Sequence, residues 1–185
     1  MITMPKLFTS DLLLTSNTDL LFYLKKHRYL YKLVGNGNNI INYDKLNKIS
    51  YNFSSNGRHA IVINTLHSTA PPETIGHWAV LLVQISKSGR YCMLVDSLAN
   101  SFKQNNPLSH KITQFCNVHK LDLHLWKART QKKNSSNCGF QIVFFLHHFS
   151  KNGLKGMHRL QLMLQQYSLF TREYYILKRA YKLCK

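Results

Sequence analysis

Hydrophobic and polar positions change period along the first half of the chain. Apolar residues at helical spacing in residues 18–25 follow a capping residue and predict a helix. Runs rich in β-branched or other apolar residues at 59–64, 77–85 and 91–96 predict three strands. The polar, glycine-containing residues 86–90 are typical of a hairpin turn, so the second and third strands should pair antiparallel.

The second half repeats the mixture of helix and strand. A proline suited to a first helical turn opens a predicted helix over residues 107–118, and alternating leucines predict a strand at 121–125. The apolar run 141–146 predicts a buried helix that begins at Cys138, and glycines at 153 and 156 should break the chain before one or two basic helices. The pattern predicts an α+β fold, with a central mixed or antiparallel sheet flanked by helices.

Length and composition fit one globular domain over residues 1–185. The 185 residues are 44% hydrophobic and 12% aromatic, enough for a core and unlike a disordered chain. No apolar run approaches the roughly 20 residues of a membrane span, and the N-terminus lacks the long apolar stretch of a signal peptide. The four cysteines form no Cys-x-x-Cys pair, which argues against a zinc site or disulfide framework and favours a reducing, intracellular compartment.

The charge points to a polyanionic partner. The chain has 25 Lys and Arg against 7 Asp and Glu, a net charge of +18. The basic residues are spread over four stretches and are interleaved with tyrosines, which suits binding to a phosphate backbone without base readout. A generally basic, solvated surface is the alternative. No nucleic-acid-binding motif accompanies the charge, so we expect any DNA binding to be non-specific and salt-sensitive.

One cysteine stands in a setting suited to a nucleophile. The polar residues 134–137 lead to Cys138 at the predicted start of a buried helix, where unpaired N–H groups and the helix dipole favour thiolate over thiol. His77 and Asp96 should lie side by side at one end of the hairpin, so the carboxylate could orient the imidazole toward the thiol. Gln131, on the polar approach, could serve with the Cys138 N–H as an oxyanion donor.

Each of these residues also has a purely structural interpretation. Cys138 could be a buried thiol, His77 a core histidine and Gln131 a loop residue. Asp96 could cap a turn while Asn100 orients the imidazole. Other residues are expected to be ordinary packing or surface groups and not metal ligands: Trp78, Cys92, Cys116, His147, His148 and Cys184.

Four separated elements carry a resemblance to a known family. Residues 60–65, the Gly-His-Trp at 76–78, Gln131 with 134–139, and residues 145–147 occur in the order found in adenain, the adenovirus maturation protease. The match covers roughly residues 58–150. The wider superfamily includes the SUMO and other ubiquitin-like-protein deconjugases, so the chain resembles an adenain-like viral cysteine protease.

The resemblance implies a cysteine endopeptidase with His77 as general base, Asp96 as its orienting acid, Cys138 as nucleophile and Gln131 in the oxyanion hole. It implies cleavage of viral precursor proteins at glycine-containing sites during virion maturation, in the virion and host nucleus. No metal or other cofactor is required for the chemistry. DNA is the expected polyanionic activator, and a basic, cysteine-bearing peptide is a second activator in such enzymes. Nothing in the sequence demands more than a monomer.

The chain departs from adenain in several respects. Asp96 stands where adenain has Glu; the deconjugases have Asp at this position. The hairpin before Asp96 is two residues longer than in adenain. No cysteine occupies the peptide-accepting position; Cys116 is a few residues away. The basic stretch 177–184 vaguely resembles an activating peptide and could act in cis, although a surface helix is the simpler interpretation.

Two other functions remain open on the sequence. A deconjugase or processing protease for a ubiquitin-like modifier would use the same catalytic set on a Gly-Gly tail. A non-enzymatic nucleic-acid-binding protein would use the charge alone, with Cys138 incidental.

Overall fold

The structure is a computed structural model, and the part that it describes comprises residues 17–48, 51, 53, 56–71, 76–99, 106–133 and 135–184. Asn100 and Asn134, which entered the sequence predictions, lie outside the described residues. Within the described part, no helix is both long and apolar enough to cross a membrane.

A five-stranded mixed sheet forms the centre of the fold, in the order β1-β2-β3-β4-β5. The strands are β1 (Ile40–Asn42), β2 (Gly57–Asn64), β3 (Trp78–Ser86), β4 (Gly89–Asp96) and β5 (Asp122–Leu125). The inner three pair antiparallel, while β1 and β5 pair parallel to β2 and β4 at the edges. The predicted hairpin is present, with Ser86 opposite Gly89 at its turn.

Helices cover both faces of the sheet. They are α1 (Asn17–Lys26), α2 (Arg28–Leu33), α3 (Pro107–His119), α4 (Cys138–Gln165) and α5 (Leu169–Cys184). One face, with Val62, Val80 and Val95, packs against α1, α2, α4 and α5, and the other packs against α3 and the short 3-10 segment Tyr43–Lys48. Since both faces are buried, β2, β3 and β4 are nearly continuous apolar runs.

The first turns of α4 form the centre of one core layer. Every residue from Cys138 to Leu146 is buried, although helices of globular proteins are commonly amphipathic. At Gly153 the backbone takes φ 62° and ψ −167°, which interrupts the helical conformation before the basic second half. The helix α5 then packs back onto α4 through Ile176, Leu177 and Ala180.

The structure confirms the predicted α+β class and the three central strands. It also contains α2 and β1, which the sequence patterns did not predict. The predicted break at glycine occurs at Gly153, while Gly156 lies in helical backbone. The predicted second strand begins at Trp78, so His77 stands just outside it.

Candidate active site

Backbone contacts on both sides fix His77 at the entry to β3. Its N–H donates to the Thr65 hydroxyl over 3.1 Å, and its carbonyl accepts from the Thr65 N–H over 2.8 Å. The preceding residue, Gly76, lies so close to Asn64 that an added Cβ would come within 2.3 Å of the Asn64 Oδ1 atom. Position 76 therefore favours glycine, because a larger residue would collide with the Asn64 side chain. The glycine leads directly to His77 at the entry to the central strand.

The hairpin register brings Asp96 beside His77, as predicted. Asp96 ends β4 opposite Ala79, and its Oδ1 atom lies 2.7 Å from His77 Nε2. The same oxygen accepts from the Leu98 N–H over 2.8 Å. Since a carboxylate only accepts, Nε2 carries the proton and donates it to Asp96. The carboxylate thus has both roles that the sequence left as alternatives: it caps a turn and it contacts the imidazole.

Cys138 approaches His77 and Asp96 from the helix α4. It is the first residue of α4, it is 7% exposed, and its side chain interacts with the imidazole of His77. Burial lowers the pKa of His77, but the hydrogen bonds to Asp96 and Cys138, together with the electrostatic interaction with these two side chains, outweigh burial and raise this pKa to about 9. An imidazolium at neutral pH stabilises negative charge on the neighbouring sulfur.

Gln131 is buried near the site, and both ends of its side-chain amide are hydrogen-bonded. Its Oε1 atom accepts from the Ser97 hydroxyl over 2.6 Å, and its Nε2 atom donates to the Ser135 carbonyl. The Ser97 carbonyl in turn accepts from the N–H groups of Thr130 and Gln131. The amide is therefore fixed between the residue after Asp96 and the segment before Cys138.

Two buried polar residues near the site were not predicted. Gln141, fully buried in α4, donates from Nε2 to the Thr130 carbonyl and to Asn137 Oδ1, and its Oε1 accepts from the Thr130 hydroxyl. Glu173 of α5 accepts hydrogen bonds from the segment before Cys138. The sequence did carry signals for them: Gln141 interrupts an apolar run, and Glu173 is an acid within a basic helix.

The remaining singled-out residues lie outside this arrangement. Trp78 is buried in the core, His147 Nδ1 meets the Tyr29 hydroxyl at 2.5 Å, and His148 Nε2 lies 3.3 Å from the Gly156 carbonyl. All four cysteines are buried free thiols, two of which, Cys92 and Cys116, face each other with their Sγ atoms 3.5 Å apart. Among the described residues, no group of three or more His, Cys, Asp or Glu side chains could hold a metal ion.

Comparisons with known proteins identify the fold. No protein-family model and no curated protein sequence matches the chain. Among solved structures, the pS273R protease of ASFV matches with a TM-score of 0.52 at 12% identity, over 89% of this chain and 67% of that one. The chain therefore shares the fold of that protease. HopZ1a, solved in complex with IP6, is more distant, with a TM-score of 0.43 at 10% identity, over 83% of this chain and 51% of that one.

Proposed function

We propose that this chain is a monomeric cysteine endopeptidase. One observation carries the proposal: the half-buried His77 pairs with the buried Asp96, 2.7 Å between Nε2 and Oδ1, and lies against a cysteine at the first position of a buried helix. The fold shared with the pS273R protease supports it. So does the raised pKa of His77, because an imidazolium is the acid that a leaving amine requires.

The proposed mechanism follows from these positions. The Cys138 sulfur attacks the scissile carbonyl, and the resulting oxyanion accepts from the Cys138 N–H and from the second N–H of the Gln131 amide, whose first N–H is held by Ser135. The protonated His77 then gives its proton to the leaving nitrogen as the C–N bond breaks, which leaves a thioester and a neutral imidazole. His77 takes a proton from water, the hydroxide attacks the thioester, and the C–S bond breaks, so that the acyl product leaves as the carboxylic acid and the imidazolium–thiolate pair is restored.

The substrate class is proposed from the resemblance to adenain-like viral enzymes. It would be viral capsid or core precursor proteins, cleaved at glycine-containing sites during virion maturation in the virion or host nucleus. The same residues would also process the Gly-Gly tail of a ubiquitin-like modifier. We favour the viral precursor because the Gln131–Cys138 spacing of seven residues matches adenain.

An electrophilic Gly-Gly peptide probe tests the chemistry. We expect the purified protein to be labelled at Cys138, and we expect Cys138→Ala and His77→Ala to abolish or strongly slow labelling. Cys184→Ala, which removes a buried thiol elsewhere, is the matched control. Cleavage of a short glycine-containing peptide, but not of a folded modifier conjugate, would separate an endopeptidase from a deconjugase. Absence of labelling at neutral pH would contradict the proposal.

We further propose that DNA stimulates the enzyme through a basic pocket away from the catalytic cysteine. An open pocket of about 440 Å³ is lined by Lys32, Arg58 and Lys151, together with Tyr29, Leu33, His59 and Ser150. It contains three cationic groups and no acid. Arg58 stands six residues before Asn64 on β2, so the pocket lies about 20 Å along the strand from the end of the sheet that carries His77.

The contribution of this pocket can be separated from that of total charge. Lys32→Ala with Lys151→Ala should weaken DNA binding and leave DNA-free activity unchanged. The slope of the logarithm of the binding constant against the logarithm of the salt concentration should fall by the amount expected for about two phosphate contacts. Lys48→Ala with Lys111→Ala removes the same charge on the α3 side of the sheet. Equal losses in the two double variants would show that general charge, and not the pocket, binds DNA.

A further inference from the structure

The segment before Cys138 is tied to α5 by one carboxylate. Glu173 is 2% exposed, and its Oε1 atom accepts three hydrogen bonds: from the Lys132 N–H over 3.2 Å, the Ser135 hydroxyl over 2.9 Å and Asn137 Nδ2 over 3.0 Å. These three donors lie in residues 132–133 and 135–137, which we call the approach loop. One side chain therefore contacts the loop at its beginning, middle and end.

Burying the Glu173 carboxylate would destabilise the fold unless its oxygens accepted hydrogen bonds. A carboxylate buried without partners is strongly unfavourable, so a buried Glu is expected only where donors converge on it. The chain has only seven acidic residues, and two of them, Asp96 and Glu173, are buried beside the catalytic set. The helix that carries Glu173 is itself anchored by Ile176 and Ala180, both fully buried.

The hydrogen bonds continue from Glu173 to the proposed oxyanion donors. The Ser135 hydroxyl donates to Glu173, and the Ser135 carbonyl accepts from the Gln131 amide. Asn137 gives its Nδ2 to Glu173, while its Oδ1 accepts from Gln141 within α4. A change at Glu173 would thus reach the Gln131 amide through one residue and the start of α4 through another.

A second contact from α5 reinforces the same region. Arg172 Nη1 donates to the Arg129 carbonyl over 3.2 Å, and Arg129 Nε donates to the Gln131 carbonyl over 3.0 Å. Neighbouring residues of α5 therefore hold the backbone on both sides of Gln131.

We propose that Glu173 is a positioning residue: it holds the approach loop so that the Gln131 amide and the Cys138 N–H converge on the developing oxyanion. This proposal rests on the proposed cysteine peptidase function. It assigns part of the active site to α5, more than 30 residues beyond the nucleophile. Glu173 acts through Ser135 and Asn137 and touches no reacting atom.

Two electrophiles separate this role from a general effect on folding. Acyl transfer from a peptide ester develops an oxyanion, whereas alkylation by iodoacetamide does not. We expect Glu173→Ala to lower kcat for the ester about 10- to 100-fold, which is at most about the effect of removing one oxyanion donor. We expect the KM of this variant to change less than about threefold. Its rate of alkylation at Cys138 should stay within about threefold of wild type, since His77 and Asp96 are untouched.

Two further variants serve as controls. Glu173→Gln keeps an oxygen that can accept all three hydrogen bonds, so its kcat should stay near that of wild type. Ile112→Ala, in α3 on the other face of the sheet, removes core packing away from α5 and the approach loop, so it should lower Tm but leave kcat for the ester unchanged.

The outcomes are distinct. A kcat unchanged in Glu173→Ala, or a loss matched by Ile112→Ala or by slower alkylation, would overturn the positioning role. If wild type itself neither hydrolyses the ester nor is alkylated at Cys138, the proposed function fails instead. Amide hydrogen exchange at Lys132 still decides the structural claim, because it should quicken in Glu173→Ala and not in Glu173→Gln.

Discussion

Replacing Asp96 by Asn should lower the pKa of His77 while leaving the local backbone intact. The substitution keeps an Oδ1 atom that can accept from His77 and from the Leu98 N–H, but it removes the negative charge. In the native chain this pKa is raised from 6.5 to about 9, which corresponds to about 3 kcal/mol in favour of the imidazolium. Cys138 supplies part of that stabilisation, so we expect a decrease of more than about one pH unit, or about 1.4 kcal/mol.

Nitrogen-15 NMR of the histidine rings would measure this pKa directly. The alkaline limb of kcat/KM, which reports loss of the imidazolium, should begin to fall at a correspondingly lower pH in Asp96→Asn. As a control, Asp122→Asn removes an equal charge from an exposed carboxylate 3.7 Å from His124 and should leave the titration of His77 unchanged. A pKa of His77 in Asp96→Asn within about half a unit of the native value would refute this account.

The same substitution has a pH-dependent effect on stability. Because the pKa of His77 is higher in the folded chain than its ordinary value of 6.5, its contribution is fully present below pH 6.5 and is lost as the pH rises through about 9. Asp96→Asn should therefore destabilise the protein more at pH 6 than at pH 10, as measured by urea unfolding at both values.

Three further predictions concern other parts of the site. Gly76→Ala should lower both activity and Tm, because the new Cβ would collide with Asn64; equal kcat in wild type and variant would argue against the close approach. Gln131→Ala should lower kcat about 10²–10³-fold and should also lower Tm, because it leaves the Ser97 hydroxyl and the Ser135 carbonyl without their partner; a loss in kcat below threefold would remove Gln131 from the oxyanion hole. A thiol reagent at pH 8 should modify Cys138 before Cys184, because burial raises the pKa of Cys184 to about 12; mass mapping that found the reverse order would contradict this.

The central strands could be predicted because their composition and burial agree. The strands β2, β3 and β4 are apolar over most of their length, and residues 86–90 supply turn chemistry between the last two. The strand β1 could not be predicted in the same way. It has three residues, and its pairing with β2 supplies the stability that so short a segment lacks on its own.

The proximity of His77 and Asp96 was predictable for a similar reason. A hairpin fixes the neighbourhood of His77 and Asp96 from local sequence, and a polar approach to an apolar run indicates where Cys138 stands. The partners of Gln131 were not predictable. They come from Ser97, 34 residues away, and from a loop that is hydrogen-bonded to Glu173 of α5, so only tertiary packing brings them together.

The contacts of Glu173 also bear on the order in which the protein is made. When a growing polypeptide has emerged from the ribosome only as far as residue 165, His77, Asp96, Gln131 and Cys138 are all free to fold. The carboxylate that accepts from Lys132, Ser135 and Asn137 is still inside the ribosome. On the positioning role proposed above, a nascent chain would hold a nucleophile without a formed oxyanion site, and it would become active only once α5 has emerged and packed. Release from the ribosome would then delay proteolysis.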